Sequence, residues 1–504
     1  MSGSDVGTVC LVLHAHLPWL AHQSVWPVGE EWLHQAWSAA YLPLVDVVRR
    51  LAGEGRTGLL TLGVTPVLAA QLDDPYCLRQ QHSWLAGWRL RAEDLASRRE
   101  PHLRRLAAHE AGAAATALDD FEQHWRHGAS PVLRALSDAG AIELLGGPAT
   151  HPFQPLLHDD VARFALRAGL DDAAIRLGER PSGIWAPECG YRPGLEELYA
   201  DAGVGHFLVD EATLAQAGRT TAAAWRVRSG DVVALARDLS VTDLVWSSRS
   251  GYPSGPLYRD FHTFDHPSGF RPARVTSPHL APEQKEPWDP DAALHAAEAD
   301  AVGFVAAVRE RLRHLFRERG RPGLVVAAWD AELFGHWWHE GPHFLEQVLR
   351  LLPEAGVRVA TLATAAEEHV EGAVDLGPGS WGAGKDFRVW AGEAVSDLVS
   401  ENDRVQDELR ALAVGWHRKD RDRARDQLAR EALLALSSDW AFMVTRDSAA
   451  DYARHRAKTH CDRFWSLAHA LRRQDPDARR LAASFAEADG PFAHLDARTF
   501  TSTR

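Results

Sequence analysis

Short apolar runs alternate with longer amphipathic stretches as far as about residue 365 of this 504-residue chain. The longer stretches carry apolar residues at helical spacing and predict helices, as in residues 31–51, 159–177 and 290–319. Alternating strands and helices predict a parallel sheet with helical crossovers, here long enough to close as a barrel of seven or eight strands. The apolar runs that we interpret as strands are 8–13, 58–63, 141–145, 183–186, 205–209, 243–246, 324–328 and 357–360.

Two segments interrupt this alternation, and a different pattern follows it. Residues 79–139 are rich in Ala, Arg and Leu and predict a helical insertion. Residues 247–290 are rich in Gly, Pro and aromatic residues without a period, and loops of this length are usually functional or disordered. Beyond Gly377 the pattern is helical only. We therefore predict a barrel domain over residues 1–376 and an all-helical domain over 377–504.

Two stretches of the C-terminal part carry specific predictions. The run 418–430, RKDRDRARDQLAR, mixes both charge signs and favours a solvated helix face over nucleic-acid binding. A later helix follows a capping signal at Asp447 and Ser448. One face of that helix is predicted to be buried, through Ala453, Ala457, His460, Phe464 and Leu467.

Composition narrows the classes of function. The 55 basic and 69 acidic residues give a net charge of −14, which argues against nucleic acid or an anionic membrane as the main partner. The four cysteines lie far apart without a CxxC pair, which argues against a disulfide framework and a structural zinc site. The N-terminus lacks a basic region and no long apolar span occurs, so we expect a cytoplasmic protein. Nineteen tryptophans favour a site built from aromatic platforms, which suit sugars.

Polar side chains follow one predicted strand after another, at the point where each strand ends. In barrels the active site collects at the carboxyl ends of the strands, so these side chains predict a single pocket. They are His14 and His16, Thr150 and His151, Glu188, Asp210 and Asp330.

His14 and His16 lie two residues apart on a strand and therefore face the same side. Such a pair fits a zinc hydrolase completed by a later Asp, since histidine and carboxylate are zinc ligands. It equally fits groups that orient a polyhydroxylated ligand, or a purely structural pair. The metal interpretation leaves Glu188 without a role.

Glu188 and Asp330 each end an apolar run beside tryptophans, in GIWAPECGYRPG and VVAAWDAELFGHWWHEG. A Glu and an Asp on facing strand ends suit retaining glycoside chemistry. There, one carboxylate attacks the anomeric carbon and the other carboxyl protonates the leaving oxygen, at a separation of roughly 5–5.5 Å. A buried, salt-bridged acid is the alternative for each residue taken alone.

With these residues in hand, the chain resembles glycoside hydrolase family 57 and, within it, the 1,4-α-glucan branching enzymes. LVLHAHLPWL resembles the first family motif and GGPATHPFQPLL the second. GIWAPECGY resembles the nucleophile motif and AAWDAELFGHWWHEGPHFL the acid/base motif. SSDWAFMVTRDSAADYARHR resembles the last motif, which is typical of the branching-enzyme group.

The resemblance implies an α/β fold: an incomplete (β/α)7 TIM-like barrel with a helical insertion and a C-terminal all-helical domain. It implies an α-glucan substrate, of the amylose or glycogen kind, and no metal or other cofactor. Glu188 would be the nucleophile and Asp330 the general acid/base, in a retaining transfer of the cleaved chain to a 6-hydroxyl. The implied substrate-binding residues are His14, His16, Trp32, His151, Trp381, Trp390 and Asp439, with Tyr252 and Tyr258 on a lid-like loop that excludes water.

Two features depart from the family pattern. Trp329 stands where the acid/base motif commonly begins with Tyr, and residues 269–287 form a shorter stretch than in well-known branching enzymes. Within the class, the alternatives are a mainly hydrolytic enzyme, a 4-α-glucanotransferase, or a branching enzyme for a methylated glucan. Outside it, they are a metal-dependent amidohydrolase or deacetylase, and an inactive glucan-binding protein, against which the presence of both carboxylates argues.

Overall fold

The structure, a computed structural model, describes residues 6–23, 28–228, 230–277 and 279–500. Strands and helices alternate in its first part, and helices alone follow Val374. The strands are β1 (Gly7–Ala15), β2 (Leu60–Val64), β3 (Ile142–Leu145), β4 (Gly183–Ile184), β5 (His206–Val209), β6 (Ala224–Val227), β7 (Val233–Ala236), β8 (Gly323–Asp330), β9 (Arg358–Val359) and β10 (Val370–Val374).

The helices of the first part connect and surround these strands. They are α1 (Glu30–Ala36), α2 (Leu42–Gly53), α3 (Pro66–Leu72), α4 (Pro75–Leu95), α5 (Pro101–Asp120), α6 (Ser130–Asp138), α7 (Asp159–Leu177), α8 (Leu195–Asp201), α9 (Glu211–Gln216), α10 (Leu239–Trp246), α11 (Pro290–Arg319), α12 (Gly341–Glu354) and α13 (Leu362–Glu368). The later helices are α14 (Arg388–Ala391), α15 (Ser396–Ala413), α16 (Arg423–Ala435), α17 (Ser438–Thr445), α18 (Ala450–Arg472) and α19 (Ala478–Ala488).

The strands form two sheets that follow one another around a barrel. One has the order β3-β2-β1-β8 with β9 beside β1, and the other the order β10-β6-β7-β5-β4. All pairs are parallel except β6 with β7. The sheets meet at a bridge between Gly146 and Ile184, and where Asp238 N donates to Val326 O over 2.8 Å. Seven strands thus follow one another in a ring, in the order β4, β5, β7, β8, β1, β2 and β3. The ring has two seams without a full ladder of hydrogen bonds, so the expected incomplete barrel is confirmed.

Both faces of β1 are buried, which explains its unbroken apolar run. Leu11 and Leu13 join the large core between strands and helices. Cys10 and Val12 join a smaller cluster with Leu324, Val326 and Ala328 of β8. Because side chains alternate along a strand, His14 continues the series of Cys10 and Val12.

The predicted strand at 243–246 is wrong, because these residues form the end of α10. A four-residue apolar run fits a buried helix end as well as a strand, and periodicity cannot separate the two. Three strands, β6, β7 and β10, were not predicted. The helices predicted at 159–177 and 290–319 are confirmed as α7 and α11, and the one at 31–51 as α1 and α2 joined by a π-helical turn at Trp37–Tyr41.

The helical insertion consists of regular helices, whereas the long loop has little regular secondary structure. Asp74 caps α4 by accepting hydrogen bonds from the backbone of Tyr76 and Cys77, and α4 packs along α5. The described part of residues 247–290 contains two short 3-10 turns, Tyr252–Ser254 and Pro282–Gln284. Isolated backbone bridges, such as the one between Arg259 and Arg274, fold it back on itself.

The helical C-terminal part corrects two expectations. The predicted solvated helix face at 418–430 is wrong for the helix: residues 418–421 are exposed but precede α16, which is buried along most of its length. Within it, Arg430 donates to the carbonyls of Pro491 and Phe492. The predicted cap of α18 is also wrong, since Ala449 precedes the helix without a side-chain hydrogen bond. The predicted apolar face of α18 is confirmed, because all five of its residues are buried. In the part of the chain that the structure describes, no helix is long and apolar enough to cross a membrane.

Gly169 packs against the backbone of the segment that leads to His151, and a substitution at Gly169 tests this close contact. A Cβ at Gly169 of α7 would overlap the carbonyl oxygen of Gly147 and lie 2.7 Å from Ala149 N. We expect Gly169→Ala to destabilise the protein by about 2–3 kcal/mol, because backbone must move apart. Thermal and urea unfolding would measure this.

The matched control is Gly112→Ala in α5, where the added Cβ meets nothing within 4 Å. It should stabilise the protein by about 0.5–1 kcal/mol, since alanine restricts the unfolded chain and favours helix. Equal stability of the two variants would contradict the close approach of α7.

Candidate active site

The carboxyl ends of β1 and β8 bring two candidate residues side by side. In the parallel ladder, His14 pairs with Asp330. Both continue the inward-facing series of their strands, two residues beyond Val12 and Ala328. Asp330 is therefore directed to the carboxyl end of the barrel interior, where barrel enzymes carry out their chemistry.

Glu188 lies beyond β4 in a strained backbone conformation. Its φ of 61° and ψ of 22° are left-handed, which non-glycine residues adopt at a cost and mostly at functional sites. Its carboxylate accepts two hydrogen bonds, from Trp381 Nε1 over 2.8 Å and from Ser438 Oγ over 2.9 Å. Both donors come from the C-terminal part of the chain, which thus holds a carboxylate that is only 8% exposed.

A directional chain of hydrogen bonds leads to Glu188. Ser438 gives its single hydroxyl proton to the carboxylate, so it accepts from Nδ1 of His151 over 2.9 Å. Nε2 of His151 then accepts from Nε2 of His14, 3.1 Å away. Burial and the neighbouring His16 hold the pKa of His14 and of His151 well below the usual value, so both rings are neutral as this chain requires.

His16 has the opposite character. Its Nε2 lies 3.0 Å from both carboxylate oxygens of Asp439, and its Nδ1 lies 3.0 Å from Thr65 Oγ1. Burial opposes the charged ring, but Asp439, together with Glu188 and Glu332, outweighs it and raises the pKa of His16. The site therefore contains one imidazole that favours protonation beside two that do not.

The two candidate carboxyls have unlike surroundings. Burial, then Glu332 and Glu188, raise the pKa of Asp330 well above its ordinary value. Burial also raises the pKa of Glu188, but its donors Trp381 and Ser438 act in the opposite direction. The surroundings therefore favour a proton on Asp330 more strongly than on Glu188, whose two donors offset part of the effect of burial. Two carboxyls whose pKa values are pushed apart in this way are suited to different roles.

A buried ion cluster supports Trp381. Asp210 is fully buried and pairs with Arg237 over 2.5 Å and with Lys385 over 3.0 Å. The guanidinium of Arg237 lies 5.1 Å from the centre of the Trp381 ring, and Lys385 donates to the Trp381 carbonyl. Asp210, the polar residue after β5, thus acts through the indole that holds Glu188.

The aromatic candidates are placed differently from one another. Trp32 is half-buried at the C-terminal part, with its ring centre 6.2 Å from that of Tyr452. Trp390 is only 2% exposed and stacks on Phe153 at 4.3 Å. Trp390 therefore packs in a small core and offers no open face, contrary to the expectation of a sugar platform.

The two loop tyrosines lie on the α11 and α12 side of the barrel. Tyr258 is 1% exposed, and its hydroxyl donates to Asp300 over 2.5 Å. The ring of Tyr252 packs 5.7 Å from Phe344. A role in covering the cleft stays a prediction for both.

Three of the site residues, His16, His151 and Asp439, have potential ligand atoms within 4.8 Å of one another. Within the described residues, however, each ring nitrogen of His16 and His151 already has a hydrogen-bond partner. A bound ion would have to displace these bonds, and the expectation of a metal-free site stays a prediction.

Several residues of the site were not singled out from the sequence. Ser438 adjoins Asp439 in a family-like motif, yet a serine carries no signal of its own. Trp185 stacks under His14 at 4.2 Å, and Tyr41 donates a short hydrogen bond to Glu332. These contacts come from distant parts of the chain, so only folding reveals them.

Comparisons with known proteins agree with this geometry. The family model "Glycosyl hydrolase family 57" matches residues 10–376, and "1,4-alpha-glucan branching enzyme, C-terminal" matches residues 401–500. A probable 1,4-alpha-glucan branching enzyme of Mycobacterium tuberculosis is 53% identical over 98% of both chains.

Solved structures are also similar over the whole chain. A family 57 branching enzyme from Thermococcus kodakaraensis, crystallised with glucose, has a TM-score of 0.94 at 31% identity, over 99% of this chain and 97% of that one. The α-amylase AmyC from Thermotoga maritima has a TM-score of 0.87 at 27% identity, over 99% of both chains.

The fold and these relatives define an enzyme of the class that breaks or transfers glycosidic bonds. The chain belongs to glycosyl hydrolase family 57 and, within it, to the group of 1,4-α-glucan branching enzymes.

Ser438 is expected to act as a positioning residue for Glu188. Hydrogen bonds to charged groups contribute about 1.5–3 kcal/mol, so Ser438→Ala should lower kcat/KM by roughly 10- to 100-fold. Because the lost donor had lowered the pKa of Glu188, the acidic limb of the pH profile should move to higher pH. Steady-state kinetics across pH would measure both effects.

Two further variants separate positioning from general damage. Ser438→Thr keeps a hydroxyl and should restore most activity. Ser466→Ala removes an exposed serine of α18 and should change nothing. An Ser438→Ala enzyme with an unshifted acidic limb would contradict the role of this hydroxyl.

Glu332 is expected to set the alkaline limit of activity. It raises the pKa of Asp330, and its own pKa is raised by burial to about 7, so it is charged on the alkaline side. In Glu332→Gln this charge is gone, and Asp330 should lose its proton at lower pH. The alkaline limb of the pH profile of kcat/KM should therefore move to lower pH. A limb that stays in place or moves to higher pH would refute the electrostatic effect of Glu332 on Asp330.

Proposed function

We propose that this enzyme cleaves α-1,4 bonds of a glucan with retention and transfers the freed segment to a 6-hydroxyl of another chain. The observation that carries the proposal is the unlike setting of two carboxyls, of which Glu188 is buried and Asp330 is partly buried. Glu188 accepts two hydrogen bonds, whereas Asp330 lies near two other carboxyls and keeps its proton. This division of roles is what a retaining double displacement needs.

In the first step, Asp330 gives its proton to the glycosidic oxygen while a carboxylate oxygen of Glu188 attacks the anomeric carbon. The bond from that carbon to the leaving oxygen breaks, and a glucosyl ester of Glu188 forms. Trp381 and Ser438 hold the attacking carboxylate from both oxygens, so little reorientation is needed.

In the second step, the ionised Asp330 takes the proton of the acceptor's 6-hydroxyl, whose oxygen attacks the anomeric carbon and releases Glu188. Water in the same position would give hydrolysis. Transfer therefore depends on a cleft that excludes water and on a high effective concentration of the acceptor.

The polar groups around the carboxyls suit the donor sugar. His16 and Asp439 form a charged pair at the cleft, and the half-buried Trp32 lies against the same C-terminal part. His14 has a buried Nδ1 without a partner among the described residues. Such groups bond hydroxyls while an aromatic face covers the apolar side of a sugar ring.

A mainly hydrolytic enzyme is the second candidate. It is favoured by the likeness to the Thermotoga α-amylase along the whole chain.

The place of action that we propose is the cytoplasm. Four buried cysteines, all unpaired, support a reducing compartment.

The decisive measurement is proton NMR of amylose during turnover, which compares new α-1,6 linkages with new reducing ends. Branching predicts that the linkages dominate, and hydrolysis predicts the reverse. Glu188→Gln should retain less than about 1% of either product, because the covalent route is lost. Its melting temperature should stay near that of the wild type.

Glu487→Gln, which changes an exposed acid of α19, is the matched control and should keep full turnover. Activity of more than a few per cent in Glu188→Gln would show that another group is the nucleophile.

A further inference from the structure

A large cavity lies between the helical insertion and the barrel. It has a volume of about 1130 Å³ and is bounded by α4 and α5 of the insertion, α2 and α12 of the barrel, and residues 259–271 of the long loop. We call it the insertion groove. Among the described residues, its lining includes neither of the catalytic candidates Glu188 and Asp330.

The insertion groove is rich in aromatic rings, and two of them are exposed. Phe264 is 39% exposed and Trp337 is 41% exposed, although burial of such rings would be favourable. Exposed rings that cluster at a concave surface indicate a binding site. The aromatic residues of the lining are Trp84, Trp88, Phe261, Phe264, Phe270, Trp288 and Trp337.

Three guanidinium groups lie on these rings, and one of them, that of Arg259 over Trp288, is paired with Glu110. Arg91 lies 5.1 Å from the Trp84 ring centre, and Arg271 lies 4.3 Å and 4.5 Å from those of Phe261 and Phe264. Neither Arg91 nor Arg271 forms an ion pair with a carboxylate in the described ranges. Nε of Arg271 donates to the carbonyl of Phe261, and the other in-plane N–H groups of a stacked guanidinium stay available for a ligand.

The groove also offers a buried acceptor. Oε1 of Glu340 accepts from Trp288 Nε1 and from the backbone of Arg259. Its Oε2 is buried and has no partner among the residues that the structure describes. A buried carboxylate oxygen without a donor indicates that a hydroxyl or water completes it.

The charge of the lining excludes an anion as the best ligand. Seven acidic side chains and five basic ones line the groove. A phosphate or a nucleotide would meet a net negative surface. A neutral polyhydroxylated chain instead meets aromatic faces, free N–H donors and a free acceptor.

We propose that the insertion groove binds a second stretch of α-glucan, separate from the chain in the catalytic cleft. The inference rests on the proposed function, since it assumes a glucan substrate. Binding in the groove would retain the polymer on the enzyme. The next encounter of that polymer with the catalytic cleft is then intramolecular, which raises the effective concentration of glucan at the cleft.

The test fills the groove and leaves the cleft unchanged. Ala113→Trp places a bulky ring into the lining from α5, whereas Ala115→Trp on the same helix faces solvent. Both are made in Glu188→Gln, which leaves amylose intact, and amylose affinity is measured by affinity electrophoresis. We expect Ala113→Trp to weaken amylose binding by about tenfold relative to Ala115→Trp.

A second pair of variants controls for the case in which Ala113→Trp does not fold. Phe264→Ala removes an exposed ring of the groove, and Phe316→Ala removes an equally exposed ring of α11 outside it. Phe264→Ala alone should weaken amylose binding severalfold. Equal affinity within both pairs would overturn the proposal.

Two other results have distinct meanings. If inorganic phosphate raises the melting temperature of the Glu188→Gln protein but not of its Ala113→Trp form, the groove is an anion site and the proposal is wrong. If amylose binds through the groove while the wild type makes no α-1,6 linkages, the groove proposal stands and the branching proposal fails.

Discussion

A carboxylate that loses water on burial must gain hydrogen bonds in return, or it takes up a proton instead. Glu188 is in this position, and Trp381 and Ser438 supply the two bonds. Both come from a part of the chain about two hundred residues away or more. The left-handed backbone at Glu188, the ion cluster behind Trp381 and the histidine chain behind Ser438 all serve this one requirement.

The helical C-terminal part is consequently a component of the site and not an appendage. Helix α17 begins at Ser438 and contributes Asp439, which pairs with His16 of the first strand. The backbone of Ser438 also donates to the carbonyl of His151. The first and last of the family-like motifs of the chain therefore meet across the cleft, and neither part of the chain can form the cleft alone.

Electrostatics divides similar side chains into different roles. His14 and His151 are kept neutral by burial, whereas His16 favours its proton because Asp439 lies 3.0 Å away. Asp330 and Glu188 diverge in the same way, one beside other carboxyls and the other beside donors. For a polymer substrate, we propose that the aromatic insertion groove adds a second contact surface whose lining includes neither of these carboxyls among the described residues.

The sequence by itself determined what depends on periodicity and strand ends. Alternation along β1 and β8 directed His14, His16 and Asp330 into the barrel, and the alternation of runs and helices predicted a parallel barrel. It did not predict every strand of that barrel, because β7 lies in the ring and the run at 243–246 is helical. Tertiary structure alone decided partners: Trp390 packs on Phe153, Arg430 lies in a buried helix, and Ser438 reaches Glu188. A pattern encodes which face of an element is buried, but the group that buries it comes from elsewhere in the chain, and local spacing carries no record of that contact.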